Sequence, residues 1–208
     1  MPADHDGGGQ PGDVTKFEGG FSWIAHPEQR GRRASHALAT DAGVWLVDPV
    51  DAPGLDERIA ALGEVAGVVV LLDRHTRDAA ELAARHDVSV SLPEWMTLGK
   101  EKLSVEPVPI DGRLPGTEYR LRPLIETDEW EEAILAEEAT GTLVVPETLG
   151  TLAAFDGAAG SGELGVHPAI DDPPSRLAGY EPDRIVVGHG ENVTRDATAK
   201  LRAVVPAE

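Results

Sequence analysis

The chain has 208 residues and no cysteine, and its 37 acidic side chains against 18 lysines and arginines give a formal net charge of −19 at pH 7. Without cysteine, disulfides, thiolate nucleophiles and cysteine-ligated metals are excluded. Clustered lysine and arginine hold the phosphates of nucleic acids and anionic membranes, so neither is an expected partner of so acidic a chain. The length suits one domain, and a hydrophobic content of 41% is enough for a packed core.

The acidic excess also indicates the solution in which the chain folds. In dilute buffer a net charge of this size destabilises the folded state, because its like charges repel one another. In molar salt the Debye length falls to about 3 Å, and that repulsion is largely screened. We therefore predict a protein from a halophile. Residues 1–13 are polar and glycine-rich and lack the basic and apolar regions of a signal peptide, which favours a cytoplasmic location.

The first half of the chain reads as strands followed by a strand–helix–strand unit. Residues 1–18 are predicted to be a disordered tail, and residues 19–208 a single domain. Apolar patterning predicts strands at 21–26, 35–40, 44–47, 67–72 and 88–92, with helices at 55–62 and 78–85. A helix between two apolar strands implies a crossover connection and a parallel strand pair.

The second half repeats the order of strands and then helix. Strands are predicted at 105–110, 118–124, 131–136, 143–145 and 184–187, helices at 148–155 and 193–205, and a long loop at 156–182. The segment 131–145 is a predicted hairpin. Strands then helix, twice over, predict an α/β fold: a four-layer αββα sandwich of two mixed β-sheets with the helices outside.

Polar residues directly follow three of the apolar strands. These segments are Asp73-Arg74-His75-Thr76-Arg77-Asp78, Pro146-Glu147-Thr148-Leu149-Gly150 and Gly188-His189-Gly190. The ends of strands in α/β folds are where sites are usually built.

Together, and in this order, these segments resemble the metallo-β-lactamase fold superfamily from about Gly20 to Val205. Members carry an aspartate after an early strand, seen here as Asp48, and a His-x-His-x-Asp-His metal motif after a buried strand. A hairpin, an acidic residue in a Gly-Asp-Thr-Leu-like turn and a last histidine in Gly-His-Gly follow. The resemblance implies a site for one or two divalent metal ions, usually zinc, and hydrolytic chemistry.

The residues that would hold the metal are much altered in this chain. In the gapless register, which we prefer, Asp78 matches the aspartate of the motif. Three histidines are then replaced, by Arg74, Thr76 and Ala79. A shift of one residue instead places Asp73, His75, Arg77 and Asp78 on the four positions.

The later ligands are better preserved. His189 matches the last histidine of the family, and Glu147 stands where the bridging aspartate would be. The middle histidine has no counterpart in residues 126–131.

Structural roles remain open for the same residues. Asp78 and Glu147 also suit helix N-caps, His189 could bond only to backbone, and the arginines could pair with surface carboxylates. The acidic segments 129–132 and 171–172 are predicted to be solvated surface.

Two functions remain. In the preferred one, the chain has lost the metal centre, needs no cofactor, and binds a small anionic ligand or a protein partner through Arg74, His75, Arg77 and His189. In the alternative it is a hydrolase of ester or thioester bonds that holds a single zinc or other divalent ion on His75, Asp78, Glu147 and His189. The first is preferred because the missing histidines are ligands that the chemistry needs.

Overall fold

The computed structural model describes residues 12–158 and 162–205. In chain order the strands are β1 Asp13–Phe17, β2 Gly20–Ile24, β3 Ala34–Thr40, β4 Gly43–Val47, β5 Val65–Val69, β6 Val90–Pro93, β7 Val108–Ile110, β8 Arg120–Glu126, β9 Glu131–Glu137, β10 Thr142–Val145, β11 Leu149–Gly150, β12 Gly165–Val166 and β13 Arg184–Val187. The helices are α1 Leu55–Ala60, α2 Ala79–Arg85, α3 Thr97–Lys102 and α4 Ala197–Val204, with a 3₁₀ turn at Ser175–Gly179.

Two mixed sheets and a small strand pair organise these elements. The first sheet has the order β1-β2-β3-β4-β5-β6-β7, antiparallel up to β4 and parallel from β4 to β7. The second has the order β13-β10-β9-β8, with β13 parallel to β10 and the others antiparallel. The predicted hairpin is therefore confirmed as β9–β10, and β11 pairs with β12 beside it.

The core follows from the apolar runs. Residues 68–72 are all fully buried, as expected for a strand with apolar layers on both faces. One cluster joins Trp23, Leu46 and Val69 of the first sheet to Leu135 and Val144 of the second. A second cluster lies between the second sheet and α4, while α2 packs on β5 and β6. The predicted α/β class with two mixed sheets is confirmed.

Several local predictions were wrong. Residues 13–17 of the predicted disordered tail form β1, where Val14 and Phe17 pack against the core; residues 1–11 lie outside the described residues. The predicted helix at 148–155 contains β11 instead, because its apolar residues pair with β12. The last helix begins at Ala197 rather than at 193, since Val193 is bridged to Ile185.

Within the described ranges, no helix is long and apolar enough to cross a membrane.

Candidate functional site

Four strand ends meet at one edge of the two sheets. Asp48 follows β4, and the loop that holds residues 73–77 follows the buried run that begins with β5. Glu147 follows β10, and His189 follows β13. Because β4 runs parallel to β5, and β10 to β13, their carboxyl ends deliver these side chains to the same place.

Gly188 allows the two strand ends of the second sheet to approach closely. A Cβ at this position would lie 2.0 Å from the carbonyl oxygen of Pro146 and 3.2 Å from Cε1 of His75. No side chain fits such a contact, so glycine is required here by space rather than by backbone conformation. The same close approach places His189 beside His75, with ring centroids 5.5 Å apart.

His75 is buried and held from both sides of its ring. Its Nδ1 lies 3.0 Å from Asp48 Oδ2, and its Nε2 lies 2.9 Å from a terminal nitrogen of Arg77. A guanidinium can only donate, so Nε2 must accept and the ring proton must lie on Nδ1, where it is donated to Asp48. Burial, which has the largest effect, and the positive charge of Arg77 hold the pKa of His75 well below its usual range.

The guanidinium of Arg77 ties the strand ends together. Its other terminal nitrogen donates to the carbonyl oxygens of Ala34 and Asp48, each over 2.7 Å. The backbone of Arg77 is left-handed, with φ +39°, and that of Asp48 is left-handed too, with φ +44°. Burial lowers the pKa of Arg77 to about 10, so the side chain is a cation at neutral pH.

Asp48 is fully enclosed beneath these groups. Its Oδ1 accepts the backbone N–H of Leu71 over 2.8 Å, and its Oδ2 accepts from His75. Burial raises the pKa of Asp48 to about 7, although the nearby Arg77 and the Leu71 hydrogen bond act in the opposite direction. The carboxylate therefore fixes the orientation of the His75 ring, as partners of metal-binding histidines commonly do.

His189 and Glu147 each aim a buried acceptor into the space beside His75. The Nδ1 of His189 lies 2.7 Å from the carbonyl oxygen of Gly31, so Nδ1 carries the proton and Nε2 has a bare lone pair. The pKa of His189 is lowered, mainly by burial of the ring. Across residues 12–158 and 162–205, neither His189 Nε2 nor Glu147 Oε2 finds a hydrogen-bond partner.

These acceptors form a compact group of three. The ligand atoms of His75, Glu147 and His189 all lie within 4.8 Å of one another, and His75 Nε2 is 3.7 Å from Glu147 Oε2. Among the described residues this is the one group of three histidine or acidic side chains close enough to hold a metal ion.

An aromatic and cationic rim lies over the group. Arg74 is 40% exposed, its Nε lies 3.2 Å from Glu147 Oε2, and its guanidinium stacks 4.2 Å above the Trp130 ring. His167 meets Trp130 edge-on at 5.0 Å, and its Nε2 lies 3.5 Å from Glu147 Oε1. Arg74 is thus the cation of the site that solvent and ligands reach.

Glu132 positions this rim and was missed by the sequence analysis. It is fully buried, and its two oxygens accept from the backbone N–H groups of Glu147 and Thr148, the Thr148 hydroxyl and the Trp130 indole. Burial raises the pKa of Glu132 to about 7, against the effect of these donors. The prediction that residues 129–132 are solvated surface is wrong for this residue and for the buried Glu131, which bonds the first amides of α3.

The sequence-predicted site residues divide into two groups. His75, Arg77, Glu147 and His189 come together, and Arg74 covers them. Asp78 does not join them: it lies at the start of α2, and its Oδ2 accepts the backbone N–H of Asp51 over 2.8 Å. Asp78, which the gapless register matches to the aspartate of the motif, thus lies outside this group, whereas His75 and Arg77, which the register shifted by one residue places on the motif, lie within it.

Comparison with known proteins identifies the architecture. The structure of DIM-1 metallo-β-lactamase exposed to ceftazidime superposes with a TM-score of 0.68 at 14% sequence identity, covering 93% of this chain and 95% of that one. A metallo-β-lactamase from Hirschia baltica gives a TM-score of 0.60 at 10% identity, over 93% and 97% of the two chains. The chain has the metallo-β-lactamase fold.

A third match is a metal-bound protein of this fold. TTHA1623 in a di-iron-bound form has a TM-score of 0.58 at 16% identity, over 85% of this chain and 95% of that one. No protein-family model matches the sequence, and no curated protein matches it. At identities this low, the superpositions establish the fold alone.

A two-metal centre does not fit these residues. The described chain offers one group of three ligand atoms, and one of the three, His75 Nε2, already accepts from Arg77. An ion bonded to a histidine nitrogen lies at about 2.0–2.1 Å along its lone pair, which is the direction that the guanidinium occupies. In this chain an arginine side chain therefore stands where an ion bound to His75 Nε2 would lie.

Proposed function

We propose that this chain is a metal-independent, ligand-binding member of the metallo-β-lactamase fold, with a degenerate metal site, rather than a dinuclear zinc hydrolase. The observation that carries the proposal is the 2.9 Å hydrogen bond from Arg77 to His75 Nε2. It supplies the positive charge that would otherwise come from a metal, and it uses the lone pair that would bind one.

Electrostatics supports the same conclusion. At an effective dielectric constant of about 20, two unit charges 4 Å apart interact by about 4 kcal/mol, so a dication at that distance from a guanidinium is repelled by about 8 kcal/mol. Structural zinc sites supply about 10–16 kcal/mol with four good ligands. Three ligands, one already occupied, leave little net affinity for a metal beside Arg77.

The rim indicates the class of ligand. Arg74 is exposed and stacked on Trp130, and its contact with the site is through Nε, on one edge of the guanidinium. A guanidinium presents two parallel N–H groups that match a carboxylate or phosphate. We therefore propose a small anion as the ligand, bound at Arg74 with Trp130 beneath it, while Arg77 and His75 act as supporting structure.

Trp130 makes this proposal measurable. Its ring lies 4.2 Å from the Arg74 guanidinium, so an anion at Arg74 changes the indole environment and its fluorescence. We expect saturable changes on titration with inorganic phosphate or acetate at constant ionic strength in potassium chloride, and their loss in Arg74→Gln. The matched control is Arg202→Gln, which removes the same charge from an exposed residue of α4. An unsaturable response, or one that Arg74→Gln retains, contradicts the assignment.

A second candidate function has its own supporting observation. His189 Nε2 and Glu147 Oε2 are buried; in the described ranges the first has no hydrogen-bond partner, and the second has only its ion pair with Arg74. An arrangement of two histidines and one carboxylate is a known donor set for catalytic zinc. A single-metal hydrolase of ester or thioester bonds would use this group, provided that Arg77 withdraws from His75, and Asp78 would have no part in it.

One further expectation from the sequence stays a proposal. We infer a halophilic source from the net charge of −19. Measuring the midpoint of thermal unfolding between 0.1 and 3 M potassium chloride tests this inference, with stability expected to rise as screening increases.

A further inference from the structure

We propose that His75, Glu147 and His189 form a latent single-metal site that the side chain of Arg77 holds closed. The inference rests on the proposed function, because it takes the wild-type chain to be metal-free. It assigns to Arg77 the specific role of excluding a divalent cation from an otherwise assembled ligand set.

The ligand set is complete enough to bind one ion. It contains two imidazole nitrogens and a carboxylate oxygen within 4.8 Å of one another, the donor types that zinc prefers. In the described structure His189 Nε2 has no hydrogen-bond partner, which is uncommon for a buried polar atom, and Glu147 Oε2 has only its ion pair with the exposed Arg74. Nitrogen and carboxylate lone pairs that converge in this way favour a cation over an anion between them.

Each ligand is oriented by contacts that do not involve Arg77. His75 donates from Nδ1 to Asp48, and His189 donates from Nδ1 to the Gly31 carbonyl oxygen. Glu147 is held through its backbone N–H by the buried Glu132. Removing the guanidinium therefore leaves three ligands whose outer partners are still in place, the condition under which metal sites keep their affinity.

Arg77 is the obstacle that the geometry identifies. Its terminal nitrogen stands 2.9 Å from His75 Nε2, along the lone pair that an ion would use. The other cation of the site, Arg74, approaches Glu147 Oε2 from the exposed rim and is 40% exposed. It can therefore turn toward solvent, whereas Arg77 is anchored by the carbonyl oxygens of Ala34 and Asp48.

The test compares zinc binding by wild type, Arg77→Ala and Arg77→Met, all purified metal-free in molar potassium chloride. Arg77→Met keeps much of the side-chain volume, so it remains informative if Arg77→Ala loses its fold. Zinc stoichiometry is measured by mass spectrometry after dialysis, and the midpoint of thermal unfolding is measured with and without zinc. Two references are the double variant Arg77→Ala/His189→Ala and the charge control Arg202→Gln.

We expect about one zinc per chain and a zinc-dependent rise in the unfolding midpoint for an Arg77 variant, and neither effect for wild type or the two references. A variant that folds only with zinc gives the same support. Folded Arg77 variants that bind no zinc overturn the latent site and leave the metal-free proposal intact. Stoichiometric zinc on the wild type overturns both, so the two failures are distinguishable.

Discussion

Asp48 Oδ2 lies 3.0 Å from Nδ1 of His75, and this contact holds the ring proton of His75 on Nδ1. Because the proton is on Nδ1, Nε2 is the acceptor that Arg77 uses. The chain thus has the carboxylate–histidine pair expected of a metal centre, but the free nitrogen of this histidine accepts a hydrogen bond from an arginine.

The tautomer of His75 is a direct prediction of this arrangement. We expect nitrogen NMR of the wild type to show a protonated Nδ1 and an unprotonated Nε2 for this ring. In Asp48→Asn the new amide can donate to Nδ1, so the proton should move to Nε2, where it faces the Arg77 donor and breaks that hydrogen bond. A wild-type ring protonated on Nε2 would contradict the account.

Glu132 is predicted to hold the rim in place. Glu132→Ala leaves the amides of Glu147 and Thr148 and the Trp130 indole without an acceptor in a buried region. Each unsatisfied donor costs about 1–3 kcal/mol, so we expect a loss of several kcal/mol of unfolding free energy in urea titrations. The exposed Glu129→Ala is the matched control and should change stability by less than about 0.5 kcal/mol. Equal losses of unfolding free energy in the two variants would show that Glu132 does not hold the rim in place.

His36 gives the fold a dependence on pH that can be separated from the site. It is fully buried, its Nδ1 lies 2.7 Å from the Ser22 hydroxyl oxygen, and burial lowers its pKa to about 3. The unfolded chain therefore takes up this proton first, below about pH 6.5.

The stability of the wild type should accordingly fall relative to His36→Asn as the pH falls from about 6.5 toward 3, by about 1.4 kcal/mol per pH unit. Asparagine can hydrogen-bond to Ser22 in either direction but does not titrate. The measurement is the difference in unfolding free energy between the two proteins across this range, which cancels the opposite trend from Asp48 and Glu132. A constant difference would show that His36 is not buried in its neutral form.

Asp78 is predicted to be a structural residue. Its carboxylate accepts the Asp51 backbone N–H and stands at the start of α2, so Asp78→Ala should cost about 1 kcal/mol. Anion binding at Arg74 and zinc binding by an Arg77 variant should be unaffected by it. Loss of zinc binding in Asp78→Ala/Arg77→Ala, with the fold retained, would return Asp78 to the ligand set.

The parts of the site that the sequence predicted are those set by strand ends. Asp48, Glu147 and His189 follow apolar runs directly, so the α/β architecture alone places them at one edge. The choice between Asp78 and Arg77 could not be made in this way. It depends on a left-handed backbone at Arg77, with φ +39°, which turns the arginine inward and which sequence patterning does not reveal for a residue other than glycine.

Glu132 was missed for a different reason. A run of acidic residues usually marks solvated surface. Burial of this carboxylate is made tolerable chiefly by donors 15 and 16 residues further along the chain, together with the Trp130 indole. The available signal was its position near the start of β9, directly before Ala133, Ile134 and Leu135, which are apolar and fully buried.

Metal content tests the central claim most directly. The wild-type protein would be expressed with zinc, manganese and iron available, purified untagged in molar potassium chloride, and measured by mass spectrometry beside His189→Ala. We predict a folded wild type whose metal content is far below one ion per chain and equal to that of the variant. Near-stoichiometric metal on the wild type that disappears in His189→Ala would contradict the account and establish the single-metal site.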